Sequence, residues 1–408
     1  MMKNRYLPTV LGLYFNYIIH GIGVIIISQN QNALMEQWNT DLTGIGAVIS
    51  MLGVGRLIAI VFSGPLSDKF GRKPFVYLGM TTYVIYFVGL VYTDSVVVAS
   101  FLAVIAGIAN SFLDSGTYPA LMESFPQNAG TANVLIKAFV QIGQFILPLI
   151  IGFISNQNIW FGWSFLIAAV ALGLNMFYMW RMKFPDKDNK DAIEANETEE
   201  KTVIQAVQFK EKPKFSIEGV AFVIYGFISQ ATFYIISQFV NTYGAEVAGM
   251  TEAAANSLIS YYSLGSLLCV AFTAIVATRI RSVNLVLVYT FFSFLSVLTM
   301  WLWPTQMIMQ VGSAFVGFFA AGGVMQLGLT VMGEMFPSGK GTITSIFYTF
   351  GSLASFAIPN IATWIANRDM RGIMLFNTVI AAIGFVIAIV IFVRYYKVVN
   401  VHAENVKN

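Results

Sequence analysis

Four ionisable side chains stand inside long apolar stretches of this 408-residue chain: His20, Arg56, Asp114 and Lys137. A charge held away from water is costly, so each must turn toward protein or a water-filled seam. Arg56 has a planar fork that matches a carboxylate or phosphate and stays charged at any working pH, which suits it to hold an anion; the alternative is a structural salt bridge or bonds to backbone carbonyls. Asp114 and Lys137 fall on consecutive apolar runs and can pair, either as a fixed ion pair or as a site where Asp114 takes up and releases a proton. His20 is of the residue type that exchanges protons near neutrality, and otherwise serves as a hydrogen-bonded structural group.

Amides and phenols extend these positions at helical spacing. Asn16 and His20 share a face, as do Asn110, Asp114 and Tyr118; Lys137, Gln141 and Gln144; and Gln230, Tyr234 and Gln238. Such stripes are expected to bind a polar solute, with Asp114 and His20 as the proton-coupling candidates.

The elements that must carry these residues follow from composition. Hydrophobic residues make up 57% of the chain and charged residues 11%, too few charges to cover a soluble surface of this size, so lipid is the expected solvent. The predicted spans are 7–28, 42–63, 74–92, 96–122, 131–154 and 160–181, then 217–243, 255–277, 283–303, 305–332, 342–366 and 373–394, each long enough to cross the hydrocarbon. The first is too long for a signal-peptide core and is read as a retained span. An open sheet cannot satisfy its edges in lipid, and the short alternating segments of a barrel are absent. The fold expected is an all-α membrane protein of about twelve helices in two six-helix bundles. A net charge of +3 suggests no nucleic-acid partner, and the single cysteine, Cys269, excludes an intrachain disulfide. No metal, cofactor or enzymatic motif is expected.

The one long polar stretch, about 183–215, carries mixed charge and reads as a solvated linker between units 1–182 and 216–408; Val203, Ile204 and Val207 suggest a short surface helix within it. With the N-terminus cytoplasmic, Lys3, Arg5, Lys69, Arg72, Lys73, Arg181, the linker lysines, Arg279, Arg281, Lys340, Arg394 and Lys397 all fall inside, leaving Arg368 and Arg371 as the outer cations. Both termini and the linker are therefore expected in the cytoplasm.

The halves repeat. Glu123, Phe125, Pro126, Gly130, Thr131 and Pro148 match Glu334, Phe336, Pro337, Gly341, Thr342 and Pro359 at one constant offset, and Ser50, Gly55 and Leu57 echo Ser260, Gly265 and Leu267. Parallel repeats of this kind share a binding site near the midplane. Glu123 and Glu334, each just before a Phe-Pro, are expected in a symmetric structural or gating contact with nearby cationic loops.

At the end of the second span stands Gly64-Pro65-Leu66-Ser67-Asp68-Lys69-Phe70-Gly71-Arg72-Lys73. This resembles the signature loop of the major facilitator superfamily. Its second-half counterpart keeps Arg279 and Arg281 but has Thr278 where the acid would stand. Gly64 is expected to allow a close helix approach and Gly71 a tight reversal. The resemblance implies that Asp68 meets the start of the eleventh span near Gly341 and Thr342, a latch that breaks as the halves rock. It also implies that the first, fourth, seventh and tenth spans border a central cavity. Strings such as Asp114-Ser115-Gly116-Thr117-Tyr118-Pro119 and Trp160-Phe161-Gly162-Trp163-Ser164-Phe165 resemble the YdiM/YdiN group of enterobacterial inner-membrane transport proteins.

These readings together imply a multi-pass protein of the bacterial inner membrane. It is expected to be a monomeric secondary transporter for a small polar organic solute, a hydroxylated carboxylate among the candidates, coupled to protons. The alternatives are an exporter of amphipathic drugs, which calls for an apolar aromatic cavity, and a non-transporting sensor that kept the fold.

Overall fold

The computed structural model describes residues 5–125, 129–185, 209–276, 280–336 and 340–400. The first half comprises α1 (Leu7–Gln29), a short α2 (Gln31–Gln37), α3 (Leu42–Phe70), α4 (Arg72–Tyr92), α5 (Val96–Ser124), α6 (Ala129–Asn156) and α7 (Trp163–Met179). The second half enters through a π-turn at Phe215–Gly219 into α8 (Val220–Glu246). It continues through α9 (Glu252–Val276), α10 (Ser282–Leu302), α11 (Gln306–Val316), α12 (Val324–Met335), α13 (Lys340–Ala366) and α14 (Arg371–Val398). Ten of the described helical stretches are long and apolar enough to span a membrane. To these add α7, apolar but only 17 residues long, and α13, 27 residues long with Pro359 inside it. Phe177 is 84% exposed and Phe101 67%, surfaces that belong in lipid rather than water.

The repeat is structural. α6 and α13 are counterparts, each with an interior proline at the matching position, Pro148 and Pro359. The glycines Gly55 and Gly265 do the same work in each half. A methyl group at Gly55 would stand 3.0 Å from Cα of Gly107 on α5, and one at Gly265 would stand 3.0 Å from the backbone nitrogen of Phe318. Only glycine lets these backbones touch. Gly64 does not act this way: a methyl group there would meet nothing within 4 Å, so the close approach expected of it is made one helix depth further in, by Gly55. Gly71 does turn the chain from α3 into α4, at φ +93°, a conformation that L side chains rarely adopt.

Two further departures have local causes. The tenth span is broken: α11 passes into a π-turn at Gly317–Ala321, where Gly322 N–H reaches back to Gly317 O at 2.9 Å, before α12 resumes after the Gly322-Gly323 pair. The loop after the first span folds into α2, which contains no sustained apolar period to announce it. The surface helix expected at Val203, Ile204 and Val207 lies outside the described residues. Near the end of the linker, Phe209 forms an antiparallel bridge with Val399, and Lys210 N–H donates to Val398 O at 2.7 Å, tying it to the end of α14.

The halves meet tightly at the end of the molecule away from the linker. Gln31 Nε2 donates to Thr242 Oγ1 at 2.5 Å, Asn241 Nδ2 to Ser28 O at 2.9 Å, and the Asn367 amide to Thr43 Oγ1. Deeper in, Gly53 on α3 lies against the Phe356 backbone of α13.

Candidate functional site

A cavity of about 190 Å³ opens between the halves at mid-depth. Of the residues singled out in the sequence, His20, Arg56, Asn110, Asp114, Tyr118, Lys137, Gln141, Gln144, Gln230 and Tyr234 line it. α1, α5, α8 and α12 contribute as expected, and α3, α4, α6, α9 and α13 contribute as well.

Arg56 and Asp114 form its charged centre. Arg56 Nη2 stands 3.4 Å from Asp114 Oδ2, while Asp114 Oδ1 accepts the Tyr17 hydroxyl at 2.7 Å. The Gly55–Gly107 contact presses α3 onto α5 beside the Arg56 backbone, and Asp114 follows about two turns further along α5, within reach of the long arginine side chain. Ser111 Oγ donates to Arg56 O at 3.1 Å and adds a second tie between the helices. The guanidinium is only partly engaged, since Arg56 Nε is buried with no partner among the described residues. His20 Nδ1 lies 2.5 Å from the Tyr83 hydroxyl, so the ring is held by a phenol on α4.

The expected pairing of Asp114 with Lys137 does not occur. Helical spacing says which residues share a face but not how far the helix is rotated toward its neighbours, and α3 supplies a nearer cation. Lys137 instead crosses the cavity to the second half: its ammonium donates to Ala321 O at 3.4 Å and lies 5.5 Å from the centre of the Phe233 ring. The accepting carbonyl belongs to the π-turn of the broken tenth span, where the regular hydrogen-bond ladder is interrupted.

Two stripe positions turn elsewhere. Asn16 is fully buried against α7, where Asn175 Nδ2 donates to its Oδ1 at 2.7 Å and to Gly12 O at 2.8 Å. Its partner amide one helix away explains why it leaves the His20 face. Gln238 is also fully buried, and its Nε2 donates to Val24 O at 3.1 Å, a contact between the halves rather than a cavity wall. Gln230 Nε2 donates to Ser355 Oγ at 3.1 Å across to α13. The cavity also takes in Tyr17, Tyr83, Tyr262, Gln326, Tyr348 and Ser352. These were not singled out, because hydroxyls and amides scattered in apolar runs carry no spacing that sets them apart.

The loop at Gly64–Lys73 forms a charge cluster within the first half. Arg72 meets Asp68 at 2.5 Å and Glu123 at 3.2 Å. Lys73 Nζ donates to the carbonyls of Trp180 at 2.7 Å and Met182 at 3.2 Å, fastening α4 to the end of α7. Lys69 is exposed beside the Phe70 ring. In the second half Glu334 Oε2 accepts the Tyr395 hydroxyl at 2.8 Å. The side chain of Thr342, toward which Asp68 is expected to point, lies outside the described residues, as do Thr278 and Arg279.

Two pseudo-repeated bundles of membrane helices around a polar mid-depth cavity define a class that the comparisons name. The model of the Major Facilitator Superfamily matches residues 13–307 and 248–406, and the chain belongs to that family. It is similar over nearly its whole length to two proteins of Escherichia coli (strain K12). Inner membrane transport protein YdiM is 45% identical over 409 residues, 99% of each chain, and inner membrane transport protein YdiN is 37% identical over 403 residues, 98% of this chain and 94% of that one. Among solved structures, a D-xylose–proton symporter superposes with a TM-score of 0.75 at 13% identity, over 95% of this chain and 97% of that one, a likeness of fold.

Proposed function

We propose that this protein is a proton-coupled symporter of the bacterial inner membrane that moves a small hydroxylated carboxylate by alternating access. The observation that carries the reading is the half-used Arg56 guanidinium in the cavity, 3.4 Å from Asp114 and with Nε unpartnered among the described residues. Arg56 has donors enough for two carboxylates but a single positive charge, which a solute anion and an ionised Asp114 must divide. A solute carboxylate that takes the guanidinium leaves Asp114 in need of a proton, and a proton on Asp114 releases the guanidinium to the solute. Each then favours the other's binding, and such reciprocal coupling is what symport requires. The amides and hydroxyls of Gln141, Gln230, Tyr234 and Tyr348 supply the partners that a hydroxylated solute needs. Lys137 adds a second cation and links the solute's presence to the seam between the halves.

Two features of family and sequence frame the cycle. The cations of the loops argue for both termini and the linker in the cytoplasm. The end away from the linker, where the halves are tied, is then the outer end. The Asp68–Arg72–Glu123 cluster lies at the opposite end and acts as the inner gate, with the carrier working as a monomer. The names of the relatives, inner membrane transport proteins, agree with this reading. The cavity's volume of about 190 Å³ falls below the roughly 300–1,000 Å³ of pockets for drug-sized ligands, which disfavours export of bulky amphiphiles.

The test is uptake of labelled glycolate, lactate and gluconate into proteoliposomes under an imposed pH gradient, wild type against Arg56→Ala. Accumulation of at least one acid by the wild type, lost in the variant, is expected. Equal transport by both would remove Arg56 from the site.

A further inference from the structure

A second and larger cavity, about 450 Å³, lies between the halves at the end away from the linker, and the transport reading leaves it unused. Its walls come from the end of α1, the start of α2 and the end of α6 on one side, and from the end of α8 and the start of α9 on the other. Gln29 is 4% exposed, and neither its amide nitrogen nor its amide oxygen has a partner among the described residues. Gln31 Oε1 and Asn241 Oδ1, on opposite halves, are likewise buried and unpartnered, although the amide nitrogen of each is used in the seam. Leaving a polar group buried without a hydrogen bond costs about 1–3 kcal/mol. Several such groups around one cavity therefore point to an occupant that supplies both donors and acceptors. The charged side chains in its lining are Glu246 and Glu252, with no lysine, arginine or histidine beside them among the described residues.

We infer that this vestibule is a second solute site, distinct from the central cavity, for a small polyhydroxylated molecule that is neutral or cationic. Hydroxyl groups donate to the orphaned oxygens of Gln29, Gln31 and Asn241 and accept from the Gln29 amide, while the two carboxylates favour an ammonium and repel an anion. Because both halves line the site, an occupant bridges them where they are already tied. It stabilises the conformation described here over one in which that end opens, and so slows the transport cycle. The inference does not depend on the central cavity's substrate.

The test uses purified full-length Arg56→Ala protein, in which the central carboxylate contact is gone. Thermal unfolding is followed with glucosamine, glucose or gluconate at low millimolar concentration, below the range where sugars act as excluded osmolytes. Glucosamine and glucose are expected to raise the midpoint, glucosamine more, and gluconate to leave it unchanged. Adding Gln29→Leu is expected to weaken both apparent affinities about tenfold or more. Adding Glu246→Gln is expected to narrow the lead of glucosamine over glucose, with Glu252 retaining the remainder. An undiminished response in the Gln29→Leu background, an equal response to gluconate, or no response to any probe overturns the site, the last meaning that the vestibule holds water only. Should Gln29→Leu not fold, an unaltered preference for glucosamine in Glu246→Gln overturns it instead.

Discussion

Asp114 is shared between two neighbours, Arg56 of α3 at 3.4 Å through one carboxylate oxygen and Tyr17 of α1 at 2.7 Å through the other. Three helices of the first half thus converge on one acid at the wall of the central cavity. An acid so placed ties the charge state of the cavity to the engagement of Arg56.

Asp114→Asn keeps the size of the side chain and a hydrogen bond with Tyr17 but cannot bind and release a proton. Accumulation driven by a pH gradient is expected to vanish, while exchange of labelled for unlabelled solute across proteoliposomes persists. Retained accumulation would take the coupling role away from Asp114.

Asn16 gives a contrasting case. It lies on the apolar interior of the first half, paired with Asn175, and does not reach the cavity. Asn16→Leu is therefore expected to cost about 1–3 kcal/mol, since it leaves the Asn175 amide short of a partner. The checks are a lowered thermal midpoint and an unchanged KM; a raised KM would put Asn16 back in the site.

Gly64 and Gly71 look alike in the sequence and differ in the structure. Gly71→Ala places a side chain at φ +93° and is expected to destabilise by about 1–2 kcal/mol. Gly64→Ala enters open space and is expected to leave thermal stability within about 0.5 kcal/mol of wild type. Parallel unfolding curves of the two variants decide the matter.

Asp41 caps the start of α3, its Oδ1 accepting the Gly44 N–H at 3.0 Å. That hydrogen bond holds its carboxyl below the usual range in the folded protein. A depressed folded value means that the cap is at full strength above the unfolded pKa of about 3.9 and is lost as pH falls through the lower folded value. Asp41→Ala is expected to lower stability by about 0.5–2 kcal/mol at pH 7, with the gap from wild type closing below pH of about 4. A gap that is constant from pH 7 to 3 would contradict the cap.

Much of this was legible in the sequence, for identifiable reasons. Hydrocarbon demands long apolar helices, so the spans and their count followed from run length. The cost of burying charge made His20, Arg56, Asp114 and Lys137 conspicuous, and all four line the cavity. Rotation about each helix axis was not legible. Spacing put Asn16 with His20 and Gln238 with Tyr234, yet Asn175 and the Val24 carbonyl drew the first member of each pair away. Partner choice was equally hidden: chain order left Asp114 able to pair with Lys137, whereas α3, packed on α5, supplies Arg56. The π-turn that offers Ala321 O to Lys137 had only the Gly322-Gly323 pair as a sign.

The most direct measurement is internal pH in wild-type and Asp114→Asn proteoliposomes, read with a trapped dye as glycolate, lactate or gluconate is added outside without an imposed gradient. Competition between solute and Asp114 for Arg56 predicts that at least one of these acids acidifies the wild-type interior beyond the level in protein-free vesicles, and that Asp114→Asn abolishes the excess. Excess acidification of equal size in both proteins, or none with any of the acids in the wild type, would contradict it.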